Sequence, residues 1–232
     1  MKTKSLFKLI TPLLSAVGCS AALTQANASV TFSFTGYIQF QQSAPVTGLS
    51  VGDQFYGTYT FDPLTIGQPF LPSDSTLDTA YWALQSWLVT IPSENITLTG
   101  FTGQIGVGNN APYYQSDRYI VTMFPDSNNI PIISGHTFSY FQIDLFDFGN
   151  GVGADMLQDS SLPLVPPDLN LVPDNDQRGR FVFQDAVFHN RMTSLNVVPE
   201  PSLNMLIITA ALCAICYARE RSFKHPTPVS RR

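Results

Sequence analysis

The sequence predicts an all-β protein, an antiparallel β-sandwich of jelly-roll type, and three observations predict it. Apolar and polar residues alternate with a period of two through a series of short runs. β-branched and aromatic residues dominate those runs. Clusters of Gly, Pro, Asn and Asp separate one run from the next. Of the 232 residues, 29–198 carry this pattern; the segments on either side, 1–28 and 199–232, are of another kind.

The first strand is read at Val30, Phe32 and Phe34, which alternate with Thr31, Ser33 and Thr35. After the turn cluster Gly48-Leu49-Ser50-Val51-Gly52-Asp53, a second strand places Phe55, Gly57, Tyr59 and Phe61 on one face. Trp87, Val89 and Ile91 mark a third, and Ile96 and Leu98 a fourth. Further runs cover 118–124, 137–146, 180–188 and 193–198. Turns are expected at Asp62-Pro63, Pro72-Ser73-Asp74, Pro125-Asp126 and Gly149-Asn150-Gly151. Residues 79–86 read as a helical turn. The proline-rich stretch 162–173 reads as a long surface loop, and too few residues follow it to form a second core. Eight or more short strands in about 170 residues suffice for one domain.

Charge divides the chain in the same places. Residues 29–198 hold fifteen acidic side chains against four arginines (Arg118, Arg178, Arg180, Arg191) and no lysine, a net of −11. Such a body repels nucleic acid and anionic lipid. The three cysteines, Cys19, Cys213 and Cys216, lie outside it. The body therefore has no disulfide framework, thiolate metal site or cysteine nucleophile.

The N-terminal segment reads as a secretory signal peptide. Lys2, Lys4 and Lys8 precede an apolar run, and Ala26 and Ala28 supply small residues at the −3 and −1 positions of a cleavage site before Ser29. At the other end, Val198-Pro199-Glu200-Pro201-Ser202 precedes an apolar run at 203–218, then a basic end at 219–232 carrying Arg219, Arg221, Lys224, Arg231 and Arg232. A helix of that run spans roughly 24 Å, and its flanking arginines can snorkel to meet a hydrocarbon core of roughly 30 Å. The basic end sets a cytoplasmic tail and an exported body. Both ends thus give one topology.

Those three elements in that order resemble the PEP-CTERM sorting domain, the tail recognised by exosortase in Gram-negative bacteria that make exopolysaccharide. The family's recognition signature maps onto Pro199, Glu200 and Pro201. The basic end is longer than usual and Asn204 is polar for a membrane helix. A looser resemblance to PEP-CTERM proteins lies in Phe34-Thr35-Gly36 and in the stretch from Gly52 to Asp62. The resemblance implies export by the Sec machinery, anchoring in the inner membrane through the C-terminal helix with the body outside the cytoplasm, processing by exosortase and a place at the cell surface or in the matrix near exopolysaccharide.

Catalytic chemistry finds little purchase in the body. His136 and His189 belong to no H-E-x-x-H motif, and no G-x-S-x-G elbow is present. Glu94 is the only glutamate there, and the aspartates single out no acid–base pair. The glycine run Gly100, Gly103, Gly106 and Gly108 reads as bulges and tight turns. No cofactor is expected; calcium is the one candidate metal, with Asp144, Asp147, Asp155, Asp174 and Asp176 as loop carboxylates that could serve a hard cation. For stacking on sugar rings the candidates are Trp82, Trp87, Tyr113 and Tyr114; Tyr113 and Tyr114 stand in a polar stretch, whereas the alternation assigns Trp87 to the core. The leading expectation is a non-enzymatic surface or matrix protein. The alternative is a carbohydrate-binding or carbohydrate-active β-sandwich that uses the tail for delivery.

Overall fold

The computed structural model describes residues 29–43, 46, 48–69, 78–111, 116–147, 156–174 and 177–199. Within them run twelve strands: β1 (Val30–Ser43), β2 (Gln54–Phe61), β3 (Gln68–Pro69), β4 (Asp78–Tyr81), β5 (Leu84–Ile91), β6 (Ile96–Gly100), β7 (Thr102–Ala111), β8 (Ser116–Phe124), β9 (Ile132–Ile133), β10 (His136–Phe146), β11 (Gln177–Phe183) and β12 (Ala186–Val197). The helical content of the described residues is two single 3₁₀ turns, Pro92–Glu94 and Leu169–Leu171. All pairings are antiparallel, along one path β3-β4-β7-β8-β10-β11-β12-β1-β2-β5-β6, with β9 beside β10. The all-β, antiparallel expectation holds.

Connectivity forces this sheet to curl. β4 lies near one end of the path and β5 near the other, yet only Trp82 and Ala83 join them. Such a link reaches at most about 11 Å. β6 passes to β7 through Phe101 alone. The two ends of the sheet therefore meet at a seam, and the facing layers belong to one hydrogen-bonded sheet bent into a half-barrel. Its interior is aromatic. The Phe34 ring of β1 stacks on Phe141 of β10 at 5.5 Å, and the hydroxyls of Tyr59 (β2) and Tyr119 (β8) meet at 2.8 Å, all fully buried. Burial pushes both tyrosine pKa values up, so the pair is a neutral hydrogen bond in the core.

The alternation read from the sequence is the alternation of burial: Phe32, Phe34, Phe55, Tyr59, Phe61, Trp87, Val89 and Ile91 all face inward. Two glycines in these strands are there because rings need their space. Gly57 stands opposite Phe34 and Gly36 opposite Phe55. A Cβ on Gly57 would run into the Phe34 ring and the Leu88 carbonyl, and one on Gly36 into the Phe55 ring and the Arg191 carbonyl. Each ring lies over the other strand's glycine, which locks the β1–β2 register.

Three expectations are corrected. Residues 79–86 form β4 and β5 with a two-residue crossing, not a helical turn, because pairing with β7 and β2 outweighs the local helix preference of Ala80, Ala83 and Leu84. The run 180–188 is not one strand; it turns at Gln184 and Asp185 between β11 and β12. Gly103, Gly106 and Gly108 lie within β7, not in turns, though the β7–β8 register does shift after Gly108, as expected of a bulge, and a Cβ on Gly103 would strike Leu84. The proline-rich stretch is irregular, with Leu164 and Val165 exposed as expected of a surface loop, but Leu162 and Val172 are buried in the core and pin it at both ends.

Candidate functional site

The seam carries the most exposed aromatic surface near a concavity. Trp82 and Phe101, the residues of the two crossings, are 61% and 67% exposed. Trp82 stacks on Phe124 of β8 at 6.2 Å and 21°, and Phe124 meets Tyr140 of β10 edge-on at 6.1 Å. In the β4–β5 crossing Ala83 turns into the core and Trp82 outward. Trp82, Phe101 and Phe124 line a groove of about 400 Å³ together with Thr102, Pro125, Asp126 and Ser127. The groove is firmly seated. The Trp87 indole donates to the Phe124 carbonyl across 3.0 Å, and the missing Cβ of Gly100 lets β6 approach the same carbonyl. Asp126 is held by its own turn, accepting at Oδ1 from the Asn128 amide at 3.0 Å while its carbonyl accepts from Asn129.

The arginines of the body gather on the outer face of β8, β11 and β12. Arg180 donates to Asp144 at 2.8 Å, Arg118 pairs with Asp78 at 3.3 Å with both groups buried, and Arg191 pairs with Asp174 at 2.7 Å. Burial pushes the Asp144 carboxyl up, outweighing the hydrogen bond and charge of Arg180. Beside them His189 stacks on Phe40 at 4.3 Å and its Nε2 meets the Gln42 side-chain oxygen at 3.0 Å. Burial, with Arg180 and Arg178 nearby, pulls the His189 pKa below its ordinary 6.5. The folded state thus favours the neutral ring. The stability this contributes is present above pH 6.5 and is lost as pH falls through the lowered value. Melting temperature should therefore drop on acidification below neutrality, and His189→Gln should flatten that part of the curve; parallel wild-type and variant curves would contradict it.

The remaining residues singled out by sequence fall partly outside the described residues, and those described do not converge. Tyr113, Tyr114, Asp155, Asp176, Ala26, Ala28, Glu200 and Pro201 lie outside the described residues, as do 203–218 and the basic end with Arg219, Arg221, Lys224, Arg231 and Arg232. Of the calcium candidates, Asp144 and Asp174 carry guanidinium partners, and Asp147 accepts from the Asp117 amide at 2.7 Å. Among the described residues no three metal-ligating side chains come together. At Asp144 and Asp174 calcium would have to displace arginines, so millimolar calcium should change the melting temperature little relative to chelator; a large rise would contradict this assignment of those two aspartates. His136 Nδ1 meets Asp185 Oδ1 at 2.8 Å, tying the β9–β10 turn to the β11–β12 turn. Trp87 is core, as its alternation indicated. Phe101, a lone aromatic between Gly100 and Thr102, had no signal that could find it.

The chain's last described element bears on its tail. β12 ends at Val197; the Val198 amide donates to the Thr31 carbonyl at 2.9 Å, and Pro199 is exposed immediately beyond. Compared with known proteins, the chain matches no family model, no curated protein and no solved structure.

Proposed function

We propose that this is an exported, non-enzymatic protein of the cell surface or extracellular matrix. Its tail at 199–232 is a PEP-CTERM sorting signal read by exosortase, and its curled sheet is a sandwich-like body delivered close to exopolysaccharide. The observation that carries the reading is the junction of body and tail. The sheet's hydrogen bonding runs to Val198 and stops at Pro199, the first residue of the Pro-Glu-Pro motif. Proline lacks the amide that would extend the ladder, so the motif begins where the body ends. β1 begins at Val30, beside that same junction, so a signal peptide ending at Ala28 and a membrane segment from 203 would leave the body from one end of the neighbouring strands β1 and β12.

The reading is tested in a host with and without an exosortase. The mature chain should begin at Ser29 in both, and should move from the membrane fraction to the cell surface only where the exosortase is present. Retention in the membrane in both hosts would overturn it. The alternative, a carbohydrate-binding body using the tail for delivery, draws support from the exposed ring groove at the seam.

A further inference from the structure

We propose that the seam groove of Trp82, Phe101 and Phe124 is a binding site for an uncharged polysaccharide, taking a sugar ring against its aromatic wall. The inference rests on the reading of the body as a surface or matrix protein and names the ligand chemistry that this body meets there.

A pyranose offers apolar C–H faces and an equator of hydroxyl donors. The groove offers the complement. Two largely exposed rings line it, with Phe124 stacked on Trp82, and Asp126 and Ser127 are the polar residues that line it with them. Rigid aromatic side chains provide contact area at low entropic cost, and the crossings that bear them are anchored by the Trp87–Phe124 hydrogen bond. Charge selects among polysaccharides. The residues lining the groove include one carboxylate and no basic side chain, and the body around it carries −11. A carboxylated or sulfated polymer meets repulsion; a neutral one donates hydroxyls to Asp126.

Fluorescence isolates the site because the chain has two tryptophans, Trp82 at 61% and Trp87 at 3% exposure. Acrylamide quenching of the exported chain, purified from the cell surface, therefore reads Trp82. The probes are cellohexaose, maltohexaose, a polygalacturonate oligomer, and the producing host's exopolysaccharide separated by ion exchange into neutral and acidic pools. At least one neutral probe should protect Trp82 from quenching, and the acidic probes should not. Phe101→Ala keeps the reporter and should weaken that protection by roughly tenfold, the scale of one aromatic contact, with an unchanged melting temperature because Phe101 is exposed. Protection by acidic probes only, protection by none, or equal protection in Phe101→Ala would overturn the proposal. So would a concentration-dependent dimer that Phe101→Ala abolishes, which would make the groove an interface between copies. Intact mass of the same preparation reports tail processing, so loss of glycan binding with processing intact removes the groove and leaves the sorting reading standing.

Discussion

Trp87→Ala should remove a large share of the protein's folding stability and move its urea midpoint far down. The side chain is 3% exposed, lies opposite Tyr59 and Gly100 in the sheet, and packs against Phe138 at a ring distance of 6.4 Å. Its indole nitrogen is also the bond across the seam, donating to the Phe124 carbonyl. Removing a buried tryptophan costs about 3–5 kcal/mol in lost burial and cavity, against a total of roughly 5–15 kcal/mol for a domain. Trp87→Phe separates the two contributions. It keeps most of the volume but leaves the carbonyl without its donor, and should cost about 1–3 kcal/mol. Urea unfolding followed by circular dichroism measures both. A Trp87→Ala midpoint close to wild type would mean that the seam is not held by this residue.

Glu200→Ala should leave export intact and turn full-length, membrane-bound protein from a minor species into the dominant one. Pro199 and Pro201 fix their own φ and lack amide protons, so a proline-flanked motif of this kind would join neither a sheet ladder nor a helix interior. On the proposed reading Glu200 would supply the motif's one charge to the processing enzyme, and its removal leaves an uncharged motif. Deleting 219–232 should act differently, disturbing orientation and stop-transfer rather than recognition. Immunoblots of membrane and surface fractions distinguish the two. Normal processing of Glu200→Ala would show that the carboxylate is not what the enzyme reads.

The strands were legible because a half-buried sheet writes its period into the sequence. Phe55, Gly57, Tyr59 and Phe61 show it, down to the glycine that makes room for Phe34. The turn at Gln184 and Asp185 was not legible, since Phe181, Val182 and Phe183 lead into Ala186, Val187 and Phe188 with no Gly or Pro between. The crossings were hidden for a different reason. Whether Tyr81-Trp82-Ala83-Leu84 is a helix or a passage from β4 to β5 depends on which sheet ends the twist brings together, a property of the whole sheet. The groove inherits that difficulty. Trp82 was a candidate for sugar stacking by type alone, while Phe101 and Phe124 join it only once the sheet has curled. Charge was the converse case: the net −11 was plain, but not that Arg118, Arg178, Arg180 and Arg191 would share the outer face of neighbouring strands.

The central claim, that the tail is a processed sorting signal and not a permanent anchor, is tested most directly by the intact mass of wild-type protein. The sample is taken from the surface of a host that has an exosortase. A processed signal yields a chain beginning at Ser29 and lacking everything from Leu203 onward; a chain that still ends at Arg232 would contradict it.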